Sequence, residues 1–586
     1  MKARQERVAF RECLGISSWL GVRLRGQRCF YSTPSFALRQ LRKFAPRFAS
    51  EARSISYGDI ERCPGLRQDA YALALRCADE IGGDFVPLAK CGSVELGIDM
   101  ELVIRKFLVE TLFARYEFHG LARQYLAENS DGGAVLVAEP LRGDYPASEV
   151  KGTRRWPRLQ YLLGLLAMPF YRWVFTRKFG DPAQPVIEDA VVCEIDGPKA
   201  LAMFVDLFGQ RSDLRFVAEA PYMGNFSADQ IQVYGIRPRR LGRNGAARLA
   251  QVARLIQREG WRNFGRWAPY GPLLFQLYGT LARGILQTVD ARRCTYFAYE
   301  HLFTTKAVRN EFMRFDGNRT VSFPYGTHVD SHFFAPSFQY NYDILCAAGE
   351  LQERVYKLQQ ARTITFLRTG PYEVHKAIED DGRTERVRQL REFKGSATSI
   401  TILSSGIQDE TRCGEIKLMA LARQLAAEAG VRVFIRPKPV TPPLEYRGFY
   451  TDACHGIDSM LLTGSEYQLT DFLDVTDLFV TFWSHSAADL CAAGGQIVSI
   501  DFMEDDAVPL WQTAIDEYFL AADEAFANIM AWVNDTPPGR RAMQAERMAE
   551  LRRLLCYRAP DFASYKASLL AKLQPWLPGG SAPAIP

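Results

Sequence analysis

From residue 190 onward, short apolar runs alternate with longer segments whose apolar residues recur every three or four positions. Short apolar runs are typical of strands buried on both faces, and the periodic segments between them are typical of helices. Strands are predicted at 190–195, 214–218, 230–234, 294–299, 320–323, 342–347, 363–367, 400–403, 431–435, 459–462, 478–482 and 496–500. This alternation predicts an α/β fold in which helices cover both faces of parallel, doubly wound sheets.

A chain of 586 residues is too long for a single hydrophobic core, and a charged stretch with little periodicity divides it. Rossmann-like domains are predicted on either side of this stretch, over residues 189–375 and 398–522, with a linker at 376–397. Helices are expected over 523–578, followed by a tail at 579–586. The residues before the first of these domains divide into a basic arm at 1–54 and a mainly helical region at 55–188.

The basic arm carries twelve Lys and Arg against three Glu. Its apolar patch is short, contains serines and has no small-residue cleavage site after it, which argues against a secretory signal. Three interpretations stay open for this arm, namely a contact with anionic lipid, a solvated tail and an Arg-rich transit peptide. The net charge of the whole chain is only +5, so no polyelectrolyte partner such as nucleic acid is implied.

A second basic stretch, at 154–178, encloses an uncharged core that contains Pro169 and is too short to span a bilayer. Aromatic residues, among them Trp156, Phe170 and Trp173, are interleaved with its cations. This composition is typical of a segment that lies in the headgroup layer of a membrane. A core helix with a basic rim fits the same composition, so both interpretations stay open.

Cations and hydroxyls follow two predicted strands in the second half of the chain. Arg436 and Lys438 come directly after the apolar run at 431–435, so they are expected at the carboxyl edge of the sheet. Ser484 and Ser486 follow the run at 478–482, where a helix should begin. Hydroxyls and free N–H groups at a helix start bind anions, and ligands of open α/β sheets bind at the carboxyl ends of the strands. A phosphate-bearing ligand is therefore predicted here.

A third loop and a set of acid–base groups complete the candidate residues. Ser404, Ser405 and Gly406 follow the strand at 400–403 and form a loop that a phosphate can approach closely, because Gly has no side chain. In the first half of the chain, acid–base groups follow predicted strands, namely Glu300, His301, His328 and Asp330.

A basic cluster at Arg237, Arg239, Arg240 and Arg243 is interpreted as a solvated loop or as a surface for an anionic acceptor or membrane.

These segments resemble the GT-B superfamily of glycosyltransferases, in the bacterial surface-polysaccharide branch that also includes CDP-glycerol glycerophosphotransferases. IRPKP at 435–439 is similar to the RPHP strand end of the family, and WSHSAADLCAAGGQIVSID at 483–501 is similar to its S-x-S-x-x-E-A-x-x-x-G-x-P-V-I-x-I-D element. Residues 300–330 are similar to the segment that leads into the QHG motif of the family. Lys438 stands where the family has His, and Asp489 stands where it has Glu.

The resemblance implies two facing Rossmann-like domains, with the nucleotide bound mainly by the C-terminal one and with no bound metal in the chemistry. It implies a donor site made of Ser404, Ser405, Gly406, Arg436, Lys438, Ser484, Ser486 and Asp489. In this site Arg436 and Lys438 hold the leaving phosphate, and Asp489 accepts a hydrogen bond from a ribose hydroxyl. The predicted base for the acceptor hydroxyl is His328, with Glu300 and Asp330 as substitutes.

The leading hypothesis is a metal-independent glycosyltransferase that moves a sugar from a nucleotide-activated donor to a surface-polysaccharide or lipid-linked glycan acceptor, as in capsule and cell-envelope biosynthesis. No cofactor is expected, because the nucleotide sugar is a co-substrate. The alternatives are a CDP-glycerol-type polyol-phosphate transferase of the same fold and a non-catalytic glycan-binding or scaffold protein. Twelve scattered cysteines without a CxxC pair favour a cytoplasmic protein, with peripheral contact to an anionic membrane on its inner face.

Overall fold

The computed structural model describes residues 8–14, 28–34, 52–54, 60, 66–128, 135–137, 157–268, 271–299, 303–324, 341–358, 362–363, 365–377, 383–404, 406, 412–438, 444–464, 466–482, 486–502, 519–555, 559 and 561–580. The chain forms two compact units. One comprises residues 1–178 and 246–283, and the other comprises residues 179–245 and 284–586.

The elements are numbered in chain order. The described α-helices are α1 Leu66–Leu96, α2 Met100–Glu128, α3 Pro157–Phe179, α4 Pro198–Phe208, α5 Ala228–Tyr234, α6 Arg243–Arg262, α7 Phe264–Trp267, α8 Gly271–Gln287, α9 Thr304–Phe315, α10 Glu350–Leu358, α11 Tyr372–Ala377, α12 Arg383–Lys394, α13 Arg412–Ala427, α14 Leu444–Cys454, α15 Ser486–Ala493, α16 Ala525–Val533, α17 Arg540–Leu555 and α18 Phe562–Leu573. The described strands are β1 Val8–Leu14, β2 Arg28–Pro34, β3 Ala52–Ser54, β4 Val135–Val137, β5 Ile187–Glu188, β6 Val191–Glu194, β7 Leu214–Ala218, β8 Arg237–Pro238, β9 Ala291–Arg292, β10 Thr295–Tyr299, β11 Arg319–Phe323, β12 Ile344–Ala347, β13 Thr365–Arg368, β14 Thr398–Leu403, β15 Val431–Arg436, β16 Met460–Leu462, β17 Leu478–Thr481, β18 Ile497–Asp501 and β19 Phe519–Ala521.

The first unit contains a small parallel sheet beside a pair of long helices. Its strand order is β3-β2-β1-β4, and α1 packs against α2. Three of these strands lie in the basic arm at 1–54, for which the sequence analysis predicts no strand. Arginines within and around these strands obscure the few aromatic and β-branched residues that favour an extended chain. Among the described helices, none has a stretch long and apolar enough to cross a bilayer.

The second unit is built on two larger parallel sheets, which confirms the predicted fold class. The first sheet has the order β13-β12-β11-β10-β6-β7-β8, and the second has the order β16-β15-β14-β17-β18-β19. All five residues of β10 are buried. Phe204 and Phe208 of α4 pack on Phe297 of this strand, with ring centroids 6.2 and 4.7 Å away. Burial of the central strands on both faces explains their continuous apolar runs.

The strand predicted at 230–234 is wrong, because these residues belong to helix α5. Ser227 caps the helix, and its hydroxyl accepts a hydrogen bond from the Gln230 N–H over 3.1 Å. The Gln230 side chain in turn accepts from the Ser227 N–H over 3.0 Å. Gly235 ends the helix in a left-handed conformation with φ of 60°. This reciprocal cap fixes the first turn of a helix more strongly than the Val and Tyr that follow favour a strand.

The charged stretch predicted as a linker contains helix α12. Only two of its apolar residues, Val387 and Leu390, are buried, so the helix leaves a weak apolar pattern in the sequence. Its charged residues supply much of the contact, because the Arg386 guanidinium donates to the buried Asp471 carboxylate over 2.6 Å. A helix attached to its sheet through ion pairs is difficult to recognise from hydrophobic periodicity.

The C-terminal helices contact both large sheets of the second unit. Arg552 of α17 donates to the Cys491 carbonyl of α15 over 3.1 Å, on the side of the second sheet. Helix α18 instead joins the core of the first sheet, where Tyr565, Leu569 and Leu573 are buried. The ring of Tyr565 stacks on His375 of α11 with centroids 4.2 Å apart. The last helix therefore anchors the C-terminal segment to the first sheet.

Replacing Tyr565 with Ala is expected to lower the free energy of unfolding by about 3 kcal/mol, because the side chain is 1% exposed and its loss leaves a cavity beside His375. Urea unfolding followed by circular dichroism measures this change. Tyr171→Ala is the matched control, since that ring is 61% exposed and its loss should cost less than about 0.5 kcal/mol. Equal effects of the two substitutions would contradict the docking of α18.

Candidate functional site

The second sheet reverses its direction of growth between β14 and β17. The chain adds β15 and β16 on one side of β14, then returns to add β17, β18 and β19 on the other. The Thr481 hydroxyl at the end of β17 donates to the Leu403 carbonyl at the end of β14 over 3.1 Å. Ligands of open α/β sheets bind in the crevice outside such a reversal point. We call the carboxyl ends of β14, β15 and β17, at Leu403, Arg436 and Thr481, the second crevice.

The loop after β14 meets the cations after β15 in the second crevice. Leu403 pairs with Arg436, and the Ser404 N–H donates to the Arg436 carbonyl over 3.1 Å. Gly406 has φ of 87°, and a Cβ at this position would lie 3.5 Å from the Lys438 side chain. The structure brings Ser404, Gly406, Arg436 and Lys438 together at this edge. Their role in donor binding stays a prediction.

Arg436 carries a half-buried positive charge with little compensation. Its Nε atom is buried without a hydrogen-bond partner among the described residues. Burial lowers the pKa of Arg436 to about 10, and the attraction of Asp471 offsets only part of this effect. The Asp471 carboxylate already has other partners, since it accepts hydrogen bonds from the Arg386 guanidinium and, over 2.7 Å, from the Gln468 N–H. A guanidinium in this condition is suited to an anionic ligand, which would restore its charge balance.

Lys438 adds a second cation two residues further along the chain. It is exposed, and within the described ranges its ammonium forms no ion pair. A flexible, exposed ammonium binds phosphate as a point charge, whereas the planar guanidinium of Arg436 offers several donors in fixed directions. Together the two side chains can bind the oxygens of a mono- or diphosphate.

Ser404 shapes the second crevice from inside the protein. Its hydroxyl donates to the buried Glu415 carboxylate over 3.0 Å and lies 2.6 Å from the Tyr450 hydroxyl. It also accepts from the Gly406 N–H over 2.9 Å. These bonds hold the loop in its turn and occupy the hydroxyl that the sequence analysis assigns to the donor. In this conformation Ser404 positions Gly406 and does not present its own hydroxyl to a ligand.

Helix α15 begins at Ser486, shortly after β17 ends at the second crevice. Asp489 lies half-buried in the first turn of this helix. A helix start supplies N–H groups and the positive end of the helix dipole to an anion beside it. Ser405 and Ser484 lie outside the described residues, as does the side chain of Ser486, and their roles stay predictions.

The first sheet has a matching reversal point between β6 and β10. The chain adds β7 and β8 on one side of β6, and β10 to β13 on the other. We call the carboxyl ends of β6 and β10, at Glu194 and Tyr299, the first crevice. Of the predicted bases, Glu300 directly follows β10 in sequence, but Glu300, His328 and Asp330 all lie outside the described residues. Among the described residues, no three His, Cys, Asp or Glu side chains come together as a metal site, and metal-independent transfer stays a prediction.

A buried ion cluster that the sequence analysis missed lies at the first crevice. Glu194 forms ion pairs with Arg239 and Arg309, and it accepts a hydrogen bond from the Tyr296 hydroxyl over 2.5 Å. Arg309 is fully buried and also donates to the Tyr342 hydroxyl over 2.7 Å. Arg239 is only 4% exposed, so the interpretation of all four arginines of its cluster as a solvated loop is wrong.

The cluster explains how a carboxylate remains ionised in the core. Burial alone would raise the pKa of Glu194, but the guanidinium groups of Arg239 and Arg309 outweigh it and hold this pKa well below its usual range. In the sequence, Glu194 lies at the end of an apolar run, and this charged residue in a predicted strand is the only local feature that indicates the cluster. Its partners lie 45 and 115 residues away, so periodicity cannot identify them.

No protein-family model and no curated protein matches this chain. Among solved structures, a Listeria monocytogenes protein described as a UDP-N-acetylglucosamine 2-epimerase is 11% identical, with 68% of this chain and 99% of that chain covered and a TM-score of 0.43. Anabaena HepE, solved with UDP-glucose, is 9% identical, with 66% and 99% covered and a TM-score of 0.38. The wall teichoic acid polymerase TagF, solved as a variant, is 10% identical, with 72% and 98% covered and a TM-score of 0.38.

Glu194→Gln is expected to lower the free energy of unfolding by at least about 3 kcal/mol, because it leaves two buried guanidinium groups without their carboxylate. The depressed pKa of Glu194 means that its stabilising contribution is present above about pH 4, the usual Glu value, and is lost as the pH falls toward its folded-state value. Urea titrations at neutral and acidic pH should therefore show that the difference in the free energy of unfolding between wild type and variant becomes smaller in acid.

The control for this substitution is Glu188→Gln. Glu188 is half-exposed and pairs with Arg293 over 3.7 Å, so its neutralisation should cost less than about 1 kcal/mol. A Glu194→Gln protein as stable as this control at neutral pH would show that the buried cluster does not depend on the carboxylate charge.

Proposed function

We propose that this protein is a glycosyltransferase that uses a nucleotide-activated sugar as donor and binds its phosphates in the second crevice. The observation that carries the proposal is the half-buried, poorly compensated guanidinium of Arg436 beside the exposed ammonium of Lys438. Both cations lie next to the reversal point of a parallel sheet, where nucleotides bind in this class of fold. A structural ion pair would need a carboxylate partner, and Asp471 is already bound to Arg386.

The same two cations account for the chemistry of sugar transfer. The oxygen of an acceptor hydroxyl attacks the anomeric carbon, the bond from that carbon to the phosphate oxygen breaks, and the nucleotide leaves with the bonding electron pair. Negative charge grows on the leaving phosphate during this step. In this proposal Arg436 and Lys438 stabilise that charge, and preorganised charges lower the barrier because they interact more strongly with the transition state than with the ground state.

The finer assignments of the donor site are part of the same proposal. The start of α15 at Ser486 faces the phosphates with its N–H groups, and Asp489 in the first turn accepts a hydrogen bond from the ribose. Ser405 and Ser484 complete the contacts to phosphate. A base from the Rossmann-like domain predicted over residues 189–375 removes the proton of the acceptor hydroxyl, and the candidates from the sequence are His328, Glu300 and Asp330.

We propose that the acceptor is a surface-polysaccharide or lipid-linked glycan, reached from the inner face of a membrane on which the protein lies peripherally. Helix α3 supports this choice. Four apolar side chains spaced along one side of α3 are each more than half exposed, namely Leu163, Leu166, Phe170 and Trp173. We call these four residues the α3 stripe. The opposite side of the helix, with Tyr161, Leu165 and Met168, is buried.

The α3 stripe ends in cations, which favours an anionic lipid surface as its partner. Arg177 lies one turn beyond Trp173, with its guanidinium 5.3 Å from the centre of the indole ring, and Lys178 follows it. Aromatic rings next to exposed cations are typical of segments that lie in the headgroup layer. A contiguous apolar stripe of this size is uncommon on a surface that contacts only water.

Arg436→Ala should weaken nucleotide binding without destabilising the unliganded protein. Loss of one charge-assisted contact is expected to raise the dissociation constant roughly ten- to hundred-fold. The unliganded protein should melt at the same or a higher temperature, because the substitution removes a half-buried charge with little compensation. Thermal shift with UDP-, GDP-, CMP- and CDP-linked compounds measures both effects.

Arg432→Ala is the matched control, since Arg432 is an arginine of the same strand that lies beside the Phe393 ring. It should leave the nucleotide shift unchanged. Equal shifts for the wild type and Arg436→Ala, or no shift of the wild type with any of these compounds, would contradict the proposal. Turnover of CDP-linked polyol alone would favour the polyol-phosphate transferase, and binding of glycan without turnover would favour a scaffold.

Replacing Phe170 and Trp173 together with Ser should weaken binding to phosphatidylglycerol vesicles roughly a hundred-fold, because each of the two lipid-buried aromatic side chains contributes on the order of 1.5 kcal/mol. Vesicle co-sedimentation measures the affinity, and phosphatidylcholine vesicles test the requirement for anionic lipid. Phe315→Ser is the control, since Phe315 is 58% exposed at the end of α9. Unchanged binding of the double variant would assign the lipid contact to another part of the chain.

A further inference from the structure

A carboxylate of the first crevice lies exposed beside the reversal point. Asp196 comes two residues after the end of β6 and is exposed. The Asn225 side-chain amide donates to the Asp196 main-chain carbonyl over 2.7 Å, which fixes the turn that presents this side chain. The Asp196 carboxylate accepts a hydrogen bond from its own main-chain N–H, and among the described residues it forms no ion pair. Its remaining oxygen lone pairs are available to a ligand in the crevice.

The neighbours of Asp196 place it beside β10 as well as β6. Lys199 lies in the first turn of α4, which follows Asp196. Its ammonium is 5.7 Å from the centre of the Tyr299 ring at the end of β10. Partial loss of water contact raises the pKa of Asp196, and Glu194 adds to this rise, while the hydrogen bond from its own main-chain N–H and the charges of Lys306 and Lys199 oppose it. Burial also lowers the pKa of Lys306 to about 8. Groups with pKa values displaced in this way are suited to proton transfer.

Glu194 cannot take the same role, although it lies closer to the sheet. Its two oxygens are occupied by Arg239, Arg309 and the Tyr296 hydroxyl, and it is buried. A carboxylate held so firmly in its ionised form is a poor proton acceptor. The buried cluster instead fixes the end of β6 and thereby the turn that carries Asp196.

A contact between helices joins the two large sheets of the second unit. Helix α11 follows β13 at the carboxyl edge of the first sheet. It packs against α15, whose first residue, Ser486, comes shortly after the end of β17 at the second crevice.

We propose that the first crevice binds a hydroxyl of a polyhydroxylated acceptor and that Asp196 is the catalytic base for that hydroxyl. This inference deepens the proposed transferase function and rests on it. As the acceptor oxygen bonds to the anomeric carbon, its O–H bond breaks and the proton passes to an oxygen of Asp196. The bond between the sugar and the phosphate breaks in the same step, and the nucleotide carries away the electron pair. Lys306 and Lys199 keep the carboxylate ionised before the transfer.

Asp196→Asn in the full chain is expected to reduce kcat at least a hundred-fold, the usual contribution of a general base, and to leave the donor dissociation constant within two-fold of wild type. Nucleotide release from the donor that gives the largest thermal shift measures kcat, with water and free disaccharides as acceptors. Asp196→Glu keeps the carboxylate and should recover part of the activity. Asp458→Asn, an exposed aspartate before β16, is the control and should behave as wild type.

The outcomes separate this inference from the proposed function. Loss of turnover in Asp196→Asn with donor binding intact, together with partial recovery in Asp196→Glu, supports Asp196 as the base. Full turnover in Asp196→Asn overturns the assignment of Asp196 as the base. If His328→Gln then loses turnover, His328 is the base. If the wild type neither binds nor turns over any nucleotide compound, the transferase function fails first, and the role of Asp196 fails with it.

Discussion

The charge balance at the second crevice is the constraint on which the functional interpretation depends. Removing a guanidinium from water costs several kcal/mol unless a carboxylate or an equivalent acceptor replaces the lost hydration. Arg436 has a buried Nε without an acceptor among the described residues, and Asp471 is already held by Arg386. A protein that needed only stability at this strand end would gain from a neutral side chain. An anionic ligand would resolve the imbalance, and the reversal point of the sheet lies at the same edge.

Both crevices follow from one property of parallel sheets. When a chain adds strands first on one side of a starting strand and then on the other, the loops that leave the two central strands diverge and leave a gap at the carboxyl edge. In the first sheet this gap lies between β6 and β10, and in the second it lies between β14 and β17. The two gaps carry different side chains. The second exposes cations, whereas the first exposes Asp196 beside a buried carboxylate.

Most strands of the second unit could be predicted from the sequence, because burial on both faces produces continuous apolar runs. The strand at 431–435 appears as β15, and the cations that follow it lie where the pattern predicts. The errors have physical causes. Helix α5 depends on the reciprocal cap between Ser227 and Gln230, which is stronger than a local preference for extended chain. Helix α12 depends on ion pairs such as Arg386 with Asp471, which hydrophobic periodicity does not record.

In the candidate site, too, local features could be predicted from the sequence and long-range contacts could not. Arg436, Lys438 and Gly406 were accessible to sequence analysis because they follow their strands directly, so local order in the chain becomes proximity in space. Ser404 shows the limit of that reasoning, since its hydroxyl faces Glu415 and Tyr450, which the fold alone brings beside it. The cluster around Glu194 depends entirely on long-range contacts, with Arg309 coming from α9, 115 residues later.

That long-range cluster has a consequence for how the first crevice works. Glu194 and the two arginines together carry one excess positive charge, and Asp196 follows Glu194 by two residues. Partial loss of water contact raises the pKa of Asp196, and the like charge of Glu194 adds to this rise. The two arginines instead hold the pKa of Glu194 well below its usual range, although Glu194 is the more buried of the two. The buried cluster thus gives two neighbouring carboxylates opposite displacements of their pKa.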